Sequence, residues 1–270
     1  MHLTNYSINK LAQSNDQGNP VVLKWKLTSL WQHIAEYVDV KVIQQRIIDV
    51  IIKTVIACET PIRKYQKKFS LYSFTCHELF GMDILIDDTL RPWLLEVNIS
   101  PSLHSETALD FNIKAPLARD VLNLCGVQVP SVKNEKESPL VINYGVKPHD
   151  RHKTVHDLEK ERFHVEYYNK NRKIDPSIIE KLTGSDVRIL IDFEDELLRA
   201  GGFTLIFPTV NTIGYLKYFS EPIYSNLLLT QWQIEQCESD RQTGIRSLEE
   251  FCKRGDHLSE LSDEFTSSLD

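Results

Sequence analysis

Apolar residues recur every three or four positions over residues 27–38 and again over 42–58. This spacing is typical of amphipathic helices, so the sequence predicts two helices there. Pro61 is expected to end the second one, because proline lacks the backbone N–H that a helix interior needs. A third helix is predicted over residues 116–124, where Pro116 would occupy the first turn.

Two strands are predicted between these helices. The stretch SLYSFTCHELFGMDILI (residues 70–86) contains the first, and WLLEVN (93–98) forms the second, which its apolar residues indicate is buried. The segment DDTLRP (87–92) is rich in turn-forming residues and joins them. Glu96 and Asn98 are two residues apart, so both side chains point to the same face of the strand.

The pairing of these strands predicts a cluster of oxygen ligands. If Asp87 and Pro92 lie opposite each other, Asp83 lies across from Glu96. Two carboxylates this close repel each other unless a proton or cation lies between them. With Asn98 beside them, these oxygen ligands favour Mg²⁺ or Ca²⁺ over zinc. Because Mg²⁺ held by a few protein oxygens usually carries substrate phosphates, the sequence predicts a nucleotide-phosphate site. The alternative is a hairpin with two solvated acids on its open face.

The chain is predicted to divide into four parts and to belong to the α+β class. Residues 1–126 carry the strands, and 127–174 look like a linker because they contain several prolines and many charged residues. Residues 175–250 are predicted to form a small helical module, with Ser185 capping its longest helix. Residues 251–270 form an acidic, serine-rich tail that is expected to be disordered.

Composition excludes several classes of function. No run of about 18 apolar residues occurs, so no membrane insertion is expected. The net charge is −7, and residues 175–270 contain 18 acidic and 8 basic side chains, which makes nucleic acid an unfavourable partner. The five cysteines form no C-x-x-C pair, which indicates buried thiols in a reducing compartment. A monomer is expected.

Several motifs carry a resemblance to a known family. HLTNYSINK (2–10), KWKLTSLW (24–31) and CHELFGMDILIDDTLRPWLLEVNISPSLHS (76–105) occur in this order. They resemble the tubulin tyrosine ligase-like family, the ATP-grasp amino-acid ligases that modify tubulin. DVRILIDFEDELLRAGGFTLIFP (186–208) and LLLTQWQ (227–233) are similar to the polyglutamylases of its type-4 branch.

The resemblance implies roles for individual residues. Asp83, Glu96 and Asn98 match the Mg²⁺ ligands of the family, and no catalytic residue separate from them is identified. Thr4 and Asn5 match its nucleotide-contacting pair, although simple turn capping would also explain them.

Further positions match the pocket for the incoming amino acid. These are Tyr6, Ser7 and Lys24, of which Lys24 has the alternative of being an ordinary surface lysine. An apolar residue such as Ile99 directly after EVN resembles members that add the first, branching glutamate.

The implied function is ATP-dependent addition of free L-glutamate to glutamate side chains in the acidic C-terminal tail of tubulin, through an acylphosphate. Mg²⁺ and the co-substrate ATP are the implied cofactors. The expected partners are tubulin and microtubules, with other acidic proteins possible as acceptors. The expected location is the cytoplasm and cytoskeleton, including a cilium or basal body.

A basic stretch after Pro61 is expected to steer the acidic acceptor, unless it is an ordinary solvated loop. It contains Arg63, Lys64, Lys67 and Lys68.

The resemblance also leaves alternatives open. The family's phosphate-binding lysines lie upstream of HLTN, so this chain alone is expected to lack part of the ATP site. It is expected to be the C-terminal portion of an ATP-grasp domain followed by the linker and helical module. A non-catalytic, partner-binding short isoform is the first alternative. The same ligase chemistry with glycine or tyrosine is the second.

Overall fold

The computed structural model describes residues 24–69, 76–126, 153–238 and 240–257. In order along the chain, the helices and strands are α1 (Leu27–Ile34), α2 (Val40–Phe69), β1 (Phe80–Ile86), β2 (Pro92–Ile99), α3 (Ala108–Leu124), α4 (Val155–Asn171), α5 (Gly184–Leu198), α6 (Tyr224–Glu238) and α7 (Arg241–Arg254). Short 3-10 segments cover Pro176–Ile178 and Val210–Tyr218.

The strands β1 and β2 pair in a two-stranded sheet. The mixture of helices and strands confirms the predicted α+β class. The chain divides into two compact units. The first consists of Met1–Asp49 with Ile84–Trp93, and the second consists of Val50–Asp83 with Leu94–Asp270. Among the described residues, no helix is both long and apolar enough to cross a membrane.

Helix α2 does not end at Pro61 as predicted but continues to Phe69. Two ion pairs of Arg63 lie beside the proline. Arg63 Nε lies 3.2 Å from the Glu59 carboxylate one turn earlier, and Arg63 also lies 3.6 Å from Glu221. The predicted basic loop is therefore part of a helix, which carries Arg63, Lys64, Lys67 and Lys68.

The apolar stripe of α2 is only partly buried. Ile43, Ile52 and Ile56 are buried, whereas Cys58 is exposed. Cys76 is exposed as well, so the expectation of buried thiols is wrong for these two cysteines.

Helix α3 begins at Ala108 rather than at Pro116, which lies inside it. Thr107 and Asp110 explain the earlier start, because they form a reciprocal capping box. The Asp110 N–H donates to Thr107 Oγ1 at 3.1 Å, and the Thr107 N–H donates to the Asp110 carboxylate at 3.2 Å. The local cap therefore decides where the helix starts.

The second part of the predicted linker is instead helix α4. Its start is fixed by a capping box of Thr154 and Asp157, and its Tyr168 is buried in the hydrophobic core of the helical segments. The rest of the predicted linker, residues 127–152, lies outside the described residues. The burial of Tyr168 makes α4 part of the helical module.

The remaining helices pack around a core supplied mainly by α5 and α6, and α7 adds Leu248 and Cys252 to it. The N-cap of α5 is Thr183 rather than the predicted Ser185, because Thr183 has Asp186 three residues later as its capping partner. Helix α7 extends to Arg254, so the first residues of the predicted tail are helical. Residues 258–270 of that tail lie outside the described residues.

The strand WLLEVN is not buried as predicted. Leu95 is 59% exposed and Trp93 45%, although both are apolar. The described sheet has two strands, and an apolar strand is buried only when other elements cover its faces.

Candidate functional site

The turn of the hairpin is organised by Asp87. Its carboxylate accepts hydrogen bonds from the N–H groups of Thr89 and Arg91, both at 2.9 Å, and from Trp93 Nε1 at 2.7 Å. The bond from Trp93, and then those from Thr89 and Arg91, hold the pKa of Asp87 well below its usual range. Arg46 of α2 also donates to the Leu90 carbonyl at 3.0 Å. The turn is therefore held by contacts among its own residues and by one contact from α2.

The side chains of Asp83 and Glu96 meet as the assumed register predicted. Local desolvation raises the pKa of Asp83 even though its side chain is exposed. A hydrogen bond from protonated Asp83 to Glu96, and the negative charge of Glu96, raise that pKa further. Asn98 Nδ2 donates to Glu96 Oε1 at 3.2 Å. The three residues thus form one connected polar cluster at the strand pair.

The chemistry of this cluster fits a hard divalent cation. Two carboxylates in contact need a proton or a cation between them. After local desolvation, the contact with Glu96 is what raises the pKa of Asp83. Carboxylate and amide oxygens are the donors that Mg²⁺ accepts. Among the described residues, no group of three or more His, Cys, Asp or Glu side chains could hold a metal ion, and this cluster supplies two carboxylates and one amide.

Sequence reasoning did not single out Glu78, which lies just before β1. One of its carboxylate oxygens accepts from both the N–H and the hydroxyl of Ser100, each at 3.1 Å. Ser100 follows β2 directly and has a φ of 49°, a left-handed conformation that is uncommon for serine. The polar Glu78 next to the apolar start of a strand was the only signal available in the sequence.

The helical module contacts α3 through a buried carboxylate. Asp120 accepts from the Gly202 N–H at 2.9 Å, and Arg119 lies 2.8 Å from the same carboxylate. The Arg119 bond, followed by the Gly202 bond, lowers the pKa of Asp120. Arg199, which directly follows α5, donates to the Asn123 carbonyl at 3.0 Å. Gly201–Gly202 therefore does more than end α5, because it docks that end onto α3.

The other predicted site residues are those for the nucleotide and for the incoming amino acid. Thr4, Asn5, Tyr6 and Ser7 lie outside the described residues. Lys24 is described, just before α1, and is half-buried. The nucleotide and amino-acid roles of these residues remain predictions.

The sequence model of the Tubulin-tyrosine ligase family matches residues 1–137. The chain belongs to the tubulin-tyrosine ligase family. The match includes α1, α2, the hairpin with its Asp83, Glu96 and Asn98 cluster, and α3. The family predicted from the motifs is confirmed, and the cluster lies within the matched region.

Relatives in this family also cover the helical module. The chain is 50% identical over 256 residues to "Tubulin polyglutamylase ttll-4" of Caenorhabditis elegans, a match that covers 94% of this chain and 42% of that protein. It is 36% identical over 280 residues to "Tubulin monoglutamylase TTLL4" of Homo sapiens, which covers 97% of this chain and 23% of that protein. It is 31% identical over 254 residues to "Tubulin polyglutamylase TTLL5" of Homo sapiens, which covers 85% of this chain and 19% of that protein.

The first two of these relatives confirm the predicted resemblance to the type-4 branch. The chain spans less than half the length of each of the three relatives.

Proposed function

We propose that this protein is an ATP-dependent ligase of the ATP-grasp type that adds glutamate to glutamate side chains in the acidic C-terminal tail of tubulin. The observation that carries the proposal is the contact of Asp83 with Glu96 and of Glu96 with Asn98. Support comes from the names of the relatives, which are tubulin polyglutamylases and a tubulin monoglutamylase.

In the proposed reaction, a carboxylate oxygen of the acceptor glutamate attacks the γ-phosphorus of ATP, and ADP leaves. The amino group of free glutamate then attacks the acyl carbon of the acylphosphate. Phosphate leaves, the nitrogen loses a proton, and an isopeptide bond is formed. Holding the reacting groups in line supplies much of the rate in such reactions.

The residues of this chain have separate parts in that reaction. Asp83, Glu96 and Asn98 would hold Mg²⁺, which neutralises phosphate charge when bound. The hydroxyl of Thr4 and the amide of Asn5 would donate to phosphate or ribose oxygens without adding charge.

The incoming glutamate needs a separate pocket. It carries two carboxylates, and Lys24 would supply the positive charge that binds one of them, with Tyr6 and Ser7 as hydrogen-bonding neighbours.

The central test is incorporation of labelled glutamate into tubulin, with Glu96→Gln as the variant. The change keeps the size of the side chain but removes one negative charge from the metal ligands. We expect incorporation to fall about a hundredfold or more, as for loss of a charged group that acts mainly in the transition state. Asp88→Asn is the matched control, since it removes a carboxylate from the turn of the same hairpin and should leave the rate unchanged.

Two results would contradict the proposal. Full activity of Glu96→Gln would show that the cluster holds no metal needed for the reaction. Binding of tubulin without binding of Mg·ATP would favour a partner-binding module instead. Incorporation of labelled glycine or tyrosine, but not of labelled glutamate, would instead keep the ligase chemistry and change the amino acid.

The acidic acceptor tail is proposed to approach the basic end of α2. Arg63 is already paired with Glu59 and Glu221, so the exposed Lys64 and Lys68 are the better candidates for steering. Neutralising Arg63, Lys64, Lys67 and Lys68 together should flatten the salt dependence of the rate. The same treatment of Lys170 and Lys173 is the control, and equal salt dependence in both sets would indicate an ordinary solvated face.

The first, branching glutamate is the proposed product. Ile99 follows Asn98 directly and is 70% exposed, so its side chain is available to a substrate. One of the two human relatives is named a tubulin monoglutamylase, and this name supports the proposal that the enzyme adds the first glutamate. Ile99→His should shift the product from branch points towards longer chains, measured by mass spectrometry of tubulin tails. An unchanged product ratio would remove this role of Ile99.

The microtubule cytoskeleton, including a cilium or basal body, is the proposed location.

A further inference from the structure

A single carboxylate oxygen joins the two ends of the hairpin. Glu78 Oε1 accepts from the Ser100 N–H and the Ser100 hydroxyl, both at 3.1 Å, and from the neighbouring Leu79 N–H at 3.2 Å. The Ser100 N–H lies 3.2 Å from the Leu79 carbonyl as well. Glu78 therefore holds the residue at which the chain leaves β2.

Ser100 is held in a conformation that serine does not favour. Its φ is 49°, where the β-carbon of any residue other than glycine crowds the following carbonyl oxygen. Such a conformation persists when surrounding contacts over-determine it. The two hydrogen bonds to Glu78 are contacts of this kind, because both donors belong to Ser100 itself.

The position of Ser100 determines where the end of β2 lies against β1. A β-carbon added at Gly81 would lie 3.2 Å from Pro101 Cβ and 3.6 Å from Asn98 Cβ. The strand end and the following proline are therefore packed closely against the backbone of β1. A change in the backbone at Ser100 would move Pro101 directly and Asn98 through the two peptide units between them.

We propose that Glu78 is a positioning residue for a divalent cation site: by holding Ser100 in its left-handed conformation, it fixes the end of β2 from which Glu96 and Asn98 present their oxygens. This inference rests on the proposed metal role of those two residues. Glu78 itself would act through Ser100 and not as a ligand.

Binding of Mn²⁺ to the chain, followed by electron paramagnetic resonance, tests the inference without any turnover. Glu78→Ala should weaken Mn²⁺ binding about tenfold, the lower end of the effect seen when an outer partner of a metal ligand is lost. Glu78→Gln keeps a carbonyl oxygen that can accept both bonds, so its affinity should stay within about threefold of the unaltered chain. Asp88→Ala removes the same charge from the turn and should not change the affinity.

A rescue variant separates positioning from a general loss of structure. Glycine adopts positive φ without steric cost, so it no longer needs Glu78 to hold it there. Glu78→Ala combined with Ser100→Gly should therefore bind Mn²⁺ more tightly than Glu78→Ala alone. Equal thermal unfolding of all variants, measured by circular dichroism, would show that the fold is retained.

The outcomes distinguish this inference from the proposed function. Glu96→Ala is the test of the metal site, and unchanged Mn²⁺ binding in that variant would overturn the site together with the role given to Glu78. If Glu96→Ala loses binding but Glu78→Ala matches Asp88→Ala, the site stands and the positioning role is overturned. Faster amide hydrogen exchange at Ser100 in Glu78→Ala, but not in Glu78→Gln, would support the contact that carries the inference.

Discussion

The buried lysine of α4 gives the sharpest prediction about stability. Lys160 Nζ lies 2.6 Å from an Asp186 carboxylate oxygen and donates to the carbonyls of Ile178 at 2.9 Å and Lys181 at 2.6 Å. Tyr224 donates its hydroxyl to the other Asp186 oxygen at 2.9 Å. The side chains of Lys160 and Asp186 are only 10% and 2% exposed, so water replaces few of these contacts.

The change Lys160→Met keeps a stem of similar length and removes all three donors. It leaves the Asp186 carboxylate buried without its cation, and breaking a buried pair in this way costs about 3–5 kcal/mol. Domains are typically stable by about 5–15 kcal/mol, so the loss would be a large fraction of the total. Tyr224→Phe removes one donor to the same carboxylate and should cost less, about 1.5–3 kcal/mol.

The assay is urea unfolding followed by circular dichroism, with the slope of the transition compared between variants. Lys181→Met is the matched control, because its side chain is exposed and the variant keeps the backbone carbonyl that Lys160 contacts. We expect the control to change the free energy of unfolding by less than about 0.5 kcal/mol. A cost below about 1 kcal/mol for Lys160→Met would refute the reasoning and show that apolar burial holds these helices without the ion pair.

Three further predictions concern the metal cluster, α5 and its end. Asp83→Asn should stabilise the metal-free chain at pH 7 by no more than about 1 kcal/mol, because Asp83 is exposed, and should abolish the rise in melting temperature on adding Mg²⁺. Burial, with the charges of neighbouring acids, raises the pKa of Asp192 to about 7. Protonation then favours the folded state, so stability should fall as the pH rises from 5 to 8, and Asp192→Asn should remove this slope. Gly201→Ala should destabilise by about 1–3 kcal/mol, since φ there is 57° and the new carbon would lie 2.7 Å from a carboxyl carbon. Gly214→Ala, with nothing within 4 Å, is its control.

Each of these predictions has an outcome that contradicts it. A Mg²⁺-dependent rise in the melting temperature of Asp83→Asn would place the metal elsewhere. An unaltered pH slope in thermal unfolding of Asp192→Asn would assign the titration to another group. Equal unfolding free energies for Gly201→Ala and Gly214→Ala would show that the end of α5 adapts to a side chain.

The hairpin was predictable because its signals are local. The turn sequence between two apolar runs indicated the hairpin, and the assumed pairing of Asp87 with Pro92 predicted the contact of Asp83 with Glu96. The role of Glu78 was not predictable, because its partner Ser100 is 22 residues away and hydrogen bonds over that distance leave no periodic pattern.

The helix boundaries show a similar division. The start of α3 was readable in principle from Thr107 and Asp110, a capping pair within four residues. The continuation of α2 past Pro61 was not, because a proline ordinarily ends or kinks a helix. Helix α4 was not predicted, because most of its residues are polar and Tyr168 is buried on only one of its faces.

By itself, the sequence determined the family, the mixed helix and strand class, and the hairpin that carries the polar cluster. These depend on residue types at short spacings, which act on the chain locally. Only the tertiary structure decided that Pro61 lies within a helix, that Glu78 holds Ser100, and that Lys160 is buried against Asp186. Each of these depends on free energy gained between segments distant in sequence, and such contacts exist only once the chain has folded.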